Sequence, residues 1–401
     1  MALSMFIPST TGMEAYSHAI TQVSTNIANM NTVGYKTNQT MFYTLLGSSP
    51  VVKNNNTGIN SSKADIQGVG YYDRTLIEKE GLIEQTGGNY DVAINGNGNA
   101  FFTLQDAYNN VYYTRAGDFG TQTIKGQTYL VAHNGMKVQG FAALEGGGFS
   151  DSAEDIILSY PERIPARATT TAAITANVPA DDVEASSYGI PVYAENHESD
   201  SLTMTFKKVE GKVNTWDLSF SVEGGTASGS VGEVIFNTDG KIVSPKNLTV
   251  DIQWDDGPTN NILLDLSEMT QYAGGVGTVF VKQNGAASGD LQKTSIDDNG
   301  ILKATYSNGD THNIAKLALT GFTSPDNLYP IDQTLFEANS DTGDSYFVTG
   351  AYIIPEALER STVDVIDQFG VMMITQRAYS SNANAFTVND EMLQTAVNLK
   401  T

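Results

Sequence analysis

The sequence predicts a mixed, mainly β chain. One α-helix lies at each end, the two forming a coiled-coil-like domain, and two β-rich bodies are nested between them. Three observations predict this. The 401 residues include 38 glycines against 11 prolines, a ratio that suits strands joined by tight turns better than helices. Short alternating apolar runs are separated by Asn-Gly, Asp-Gly and Lys-Gly pairs, which punctuate hairpins. At both ends apolar residues recur at gaps of three and four, the helical period.

The first helix carries Met13, Tyr16, Ile20, Val23, Ile27 and Met30 on one stripe. This seam is narrower than the face a globular surface helix usually buries. Pro8, Ser9 and Thr10 mark its start, and asparagine and glycine between Asn31 and Gly34 close it. The last helix has Val371, Ile374, Ala378, Ser381, Ala385, Val388, Met392, Thr395 and Leu399 at the same spacing. Ser361 or Thr362 is its expected cap, with Asp364 in the first turn, where a carboxylate meets free N–H groups. Two such helices form either a hairpin docked on a core or a pair that orders only against copies of itself, because a single narrow seam is marginal.

Between the helices, residues 35–69 read as an extended, asparagine- and serine-rich linker. Residues 70–145 and 285–357 form one β-rich body. YDVAINGNGNAFFTL, NVYYTRAGDFG and KGQTYLVAHNGMKVQGF alternate and turn, with Gly96, Gly98, Gly117 and Gly135 as turn residues of positive φ. After Glu145-Gly146-Gly147-Gly148 an inserted β-rich body runs over 146–284. SLTMTFKKVEGKVNTWDLSFSVEG is a hairpin with Trp216 on the packed side, and GEVIFNTDGKIVSP turns at Asp239-Gly240. The terminal domain is then 1–34 plus 358–401.

Several functions are excluded by composition. A net charge of −23 with no basic cluster opposes nucleic-acid binding, which needs grouped lysine and arginine. With no cysteine, a disulfide scaffold, a thiolate nucleophile and a cysteine metal site are impossible. The start MALSMFIPSTTG lacks the basic n-region of a cleaved secretory signal, and no run of eighteen apolar residues suggests membrane insertion. The four histidines show no metal-ligand spacing, and neither HExxH nor GxSxG occurs. Asp297-Asp298-Asn299 does not complete a calcium loop. No catalytic, cofactor or metal site is expected. His18 is placed on the polar side of the first helix.

The polar segment after the first helix, SxNIAxxNTxGYK, contains Ser24, Asn26, Ile27, Ala28, Asn31, Thr32, Gly34, Tyr35 and Lys36. YDVAINGNG, YTRAGDF, YLVAHNGMKVQGF, YSNGD, LERSTVDV and MITQRAYSSNANAF follow in order. In these motifs the chain resembles the bacterial flagellar hook proteins of the rod and hook family. The resemblance covers nearly everything but the insertion, and the size of that insertion favours hook over distal rod. It implies a D0 domain of paired terminal helices, a D1 body and an inserted outer D2 domain. It also implies a helical homopolymer, a curved tube outside the cell that joins rod to filament and carries torque. Implied partners are further copies, rod, hook-cap and hook–filament junction proteins, and the export apparatus that would pass the chain without a cleaved signal. The alternatives are a distal rod protein or, from another class, a β-rich surface adhesin.

Gln376, Arg377 and Tyr379 belong to the last of these motifs. Arg377 is either solvated or bound to a carboxylate such as Glu359 of a neighbour or Glu391. Tyr379 is either a core aromatic or an anchor between copies. Asn26, Asn29 and Asn31 either bond across helices or end the first one. Residues 35–70 are expected to bridge neighbouring copies, and residues 146–284 to give wet outer contacts that exchange partners easily.

Overall fold

The computed structural model describes residues 6–47 and 65–398, apart from 97, 145, 182–184, 195–199, 230, 231, 256, 258, 349 and 351. Its secondary structure is mainly strand, with α1 (Ile7–Ala28) and α2 (Val365–Asn398) near the two ends. The chain divides into two compact units. One is 1–159, 294–303 and 313–401; the other is 160–293 and 304–312.

In the first unit α1 and α2 run antiparallel. Gly12 lies against Asn382, and Asn26 donates to Gln368 at 2.9 Å. Each pair is fourteen residues from the other on both helices, so the register is unbroken. The α2 start differs from expectation. Asp364 caps it, its Oδ1 accepting from Ile366 N at 2.8 Å and Asp367 N at 3.2 Å. Thr362 cannot serve as the cap because its hydroxyl is buried against Thr37, whose backbone N–H donates to it at 2.9 Å.

The segment after α1 is less open than a linker. β1 (Asn38–Gly47) and β2 (Asp65–Thr75) pair antiparallel, with a register shift at Leu45/Leu46. Residues 48–64 of the expected linker lie outside the described residues. The pair rests along α1. Gly68 admits Thr11 beside it, Tyr16 and Phe42 rings meet at 5.3 Å, and Asp73 accepts from His18 at 2.8 Å and Gln22 at 3.0 Å. His18 is therefore engaged with the strand pair.

Behind the helices sits the β body. β3 (Ile83–Gln85), β4 (Val92–Asn95), β5 (Phe101–Gln105) and β6 (Val111–Thr114) enter it in order. β5 is buried over its first four residues, and Phe101, Tyr113, Phe322 and Phe336 form an aromatic core with Ile77 and Leu328. The chain returning to α2 is stitched in twice. Tyr352–Pro355 pairs with β4, and Ala357–Glu359 with β3. Gly96 and Gly135 have positive φ, but Gly98 and Gly117 do not. Gly117 is needed for space instead, since a Cβ there would lie 1.8 Å from Val92 O.

The second unit holds two five-stranded sheets. Two of its strands alternate strictly: Ser186–Val192 and Thr259–Asp265 bury every second residue, as a sheet with one covered face must. Trp216, Trp254, Phe206 and Tyr188 anchor this core. The unit begins later than the glycine run that was expected to open it. Residues 154–155 pair with 139–140 of the first unit, and Ile156 and Leu158 are buried. Gly146, Gly147 and Gly148 thus make a turn of positive φ inside the first unit. At the far crossing, Asn308 of YSNGD donates to Ala287 O at 2.7 Å, and Tyr306 Oη to Pro161 O at 3.0 Å. Those bonds hold 304–312 in the second unit.

Candidate functional site

The α1–α2 seam is made of small and polar side chains. Ser9, Gly12, Ala15, Ala19, Val23 and Asn26 are the buried residues of α1, and Thr375 is the buried one among the described side chains of α2. A glycine at position 12 lets the Asn382 side chain approach to 2.9 Å of where a Cβ would stand. Phe6 and Phe386 close one end at 5.0 Å. The apolar stripes seen in the sequence occupy other positions. Of the first stripe only Val23 is buried; Met13, Tyr16, Ile20 and Ile27 are half-buried, and Met30, past the end of α1, is exposed. On α2, Val371, Ile374, Val388 and Met392 are exposed, as is Ala385, while Ala378 is half-buried. Leu399 lies outside the described residues. The intrachain seam of α2 is thus turned by one residue from the apolar stripe, and Ile374 is left 69% exposed.

The GYK end of the first motif does a different job. Gly34 has φ +67, and a Cβ there would stand 2.5 Å from Ala116 N. This left-handed turn drives Tyr35 and Lys36 inward. Tyr35 Oη donates to Asn26 Oδ1 at 2.8 Å, and burial pushes its pKa up to about 12. Asn26 also donates to Asn38 O at 2.7 Å and accepts from Asn38 N at 3.0 Å. One asparagine therefore joins α1, α2 and β1. Asn29 bonds back to Thr25 O and closes α1, and Asn31 is exposed.

Lys36 Nζ donates to Glu359 Oε1 at 2.7 Å and to Lys79 O at 2.6 Å. Arg115 Nε donates to Glu359 Oε2 at 3.0 Å, and its Nη1 to Ala100 O at 2.7 Å. Gly81 N adds a bond to Glu359 Oε1 at 2.8 Å. All three charged side chains are shut from water. Burial alone would raise the Glu359 pKa, but Arg115 and Lys36 together hold the carboxyl below its ordinary value. For Lys36, burial is the dominant effect and lowers the pKa, Glu359 opposes it, and the smaller repulsion from Arg115 acts with burial. Two cations and a backbone N–H thus face a single anion and hold it ionised.

Glu359 is therefore occupied within its own chain and is no partner for Arg377. Gln376, Arg377 and Tyr379 are exposed on α2. Sequence reasoning missed Arg115, Glu359, Gln368 and Asn382 as joint-forming residues. The available signal was a lone arginine in an otherwise uncharged, alternating YTRAG run. Asp297, weighed as part of a calcium loop, accepts from Asn299 N and Ile301 N at 2.9 and 2.8 Å and pairs with Lys303. Among the described residues no three His, Asp or Glu side chains cluster as metal ligands, and no helix is long and apolar enough to cross a membrane.

Comparison with known proteins places these features in a family context. Residues 93–188 match the flagellar hook protein FlgE/F/G D1 domain, residues 163–286 the flagellar basal body protein FlaE D2 domain, and residues 354–399 the flagellar basal body rod FlgEFG protein C-terminal segment. The flagellar hook protein FlgE of Treponema pallidum (strain Nichols) is 27% identical, over 97% of this chain and 98% of its own. That of Brucella melitensis is 28% identical over 97% of each. That of Escherichia coli (strain K12) is 26% identical over 98% of this chain and 100% of its own. The crystal structure of Helicobacter pylori flagellar hook protein FlgE2 shares the fold, with a TM-score of 0.51 at 12% identity, over 67% of this chain and 98% of that one.

Proposed function

The chain belongs to the family of bacterial flagellar hook proteins, and from that premise we propose how its own residues build a hook. It is a structural subunit of the hook, polymerising with further copies of itself. The rod and adhesin readings are not favoured, since relatives named as hook proteins align over nearly the whole length.

The observation that carries the assembly reading is the exposed apolar side of α2. Ile366, Phe369, Val371, Met373 and Ile374 are all exposed in one chain, while the intrachain seam uses glycine, alanine, threonine and asparagine. A contiguous apolar helix face without cover marks an interaction surface. Covering it with other copies closes an inner helical layer by symmetry. The buried Lys36–Glu359–Arg115 joint then couples that layer to the β body, so that torque on the helices reaches the strands. The β1–β2 pair bridges neighbouring copies. The finished tube lies outside the cell, joined to rod, cap and junction proteins after unfolded export. Thin seams suit that route, because assembly supplies stability that the single chain lacks.

Electron microscopy of the purified chain under polymerising conditions tests this. Curved tubes are expected. Straight rigid rods would favour the rod reading, and particles without polymer would contradict both.

A further inference from the structure

Two apolar surfaces of a single chain remain without cover. The first is the tail of α2. The seam register places Ile7 about opposite Thr387, and α2 continues to Asn398. On this tail Val388, Met392 and Val397 are 52%, 55% and 59% exposed. The second is a groove near the other end of the same helix pair, about 920 Å³ in volume. Tyr16 and Val23 of α1, Phe42 of β1, Leu76, and Val371 and Ile374 of α2 line it.

A chain cannot satisfy one surface with the other. Ile374 and Met392 are eighteen residues apart on one continuous helix, about 27 Å at 1.5 Å per residue. The occupant of the groove must come from elsewhere, and the tail carries matching chemistry. Its residues are aliphatic or thioether, and methionine adapts to irregular gaps. We infer that the α2 tail of one copy seats in the α1–β1–α2 groove of another, an inference that rests on the assembly reading above.

The arrangement has a direction. Tail and groove sit at opposite ends of one helical pair, so the contact is heterologous and leaves a free tail and a free groove after every addition, which gives open growth. Asp364 and Asp367 line the groove, and Asp390 and Glu391 immediately precede Met392 on the tail. Like charges thus meet at the rim, and salt that screens them should promote the contact.

The chain lacks cysteine, so single thiols report cleanly. Met392→Cys and Ile374→Cys are prepared separately, mixed in equal amounts under polymerising conditions, and treated with a short bifunctional thiol reagent. Val388→Cys with Val371→Cys is a second pair, which decides the matter should the first fail to assemble. Covalent dimers in the mixture and none in either variant alone are expected, with yield rising from low to moderate salt. Linkage in Met392→Cys alone would show tails meeting tails and overturn the inference. So would tubes, seen by microscopy, that yield no cross-link from either pair, and these would leave the hook assignment standing. Wild-type chain that forms no tubes at all would instead strike the assembly reading, and this inference with it.

Discussion

Lys36 and Glu359, 323 residues apart, meet at 2.7 Å in a site closed to water. One arrives from the turn after α1 and the other from the strand before α2. Their contact fastens both chain ends to the β body at one point, and Arg115 completes it from between β6 and the Ala116–Gly117 turn.

Removing the shared anion should be costly. Glu359→Ala leaves two buried cations uncompensated, a change of about 3–5 kcal/mol. Chemical denaturation should show the first unit losing that much, with the second unit's transition unmoved. Replacing Lys36 and Glu359 together with Met and Leu should recover part of it.

The same site sets a pH dependence. The Glu359 carboxyl is held below its ordinary value when folded, so the unfolded chain binds its proton first as pH falls. Its contribution is fully present above the unfolded carboxylate pKa and is lost as pH falls through the folded one. Acid titration of stability should therefore be steeper for the wild-type chain than for Glu359→Gln over the range below pH about 4.3.

Gly34 should not tolerate a side chain. Gly34→Ala must hold φ +67 and fit a Cβ 2.5 Å from Ala116 N, which is backbone and cannot swing away. A loss of at least about 1–3 kcal/mol is expected, with protease sensitivity appearing near Tyr35. Gly87→Ala, at φ +75 with nothing within 4 Å, should cost less.

Assembly and monomer stability should separate at Ile374. Ile374→Asp alters an exposed side chain, so the monomer's unfolding midpoint should shift by no more than about 0.5 kcal/mol equivalent. Sedimentation should nevertheless show polymer formation lost. Trp216→Ala should do the reverse, costing the second unit about 3–5 kcal/mol while the helical ends still assemble.

The strand-rich body was legible because Asn-Gly and Asp-Gly turns and period-two alternation report local geometry. The helices were legible for the same reason. Their seam was not. Counting apolar residues finds the face that most needs cover, and on α2 that face is not the one packed against α1. Gly12, Ala19 and Thr375 instead make the intrachain contact, because small residues let backbones approach. The buried joint was hidden for a different reason. Lys36, Arg115 and Glu359 share no sequence spacing, and only the pairing of β3 with residues 357–359 brings them together. At the insertion, three glycines looked like a boundary but formed a turn, and the boundary fell where the buried Ile156 and Leu158 end the first unit's packing.

The most direct measurement is amide hydrogen exchange across residues 7–28 and 365–398, in dilute monomer and in assembled tubes. With a seam of small residues and an uncovered apolar face, both helices should exchange quickly in the monomer and become strongly protected in the tube. Full protection of both helices in a strictly monomeric sample would contradict the account.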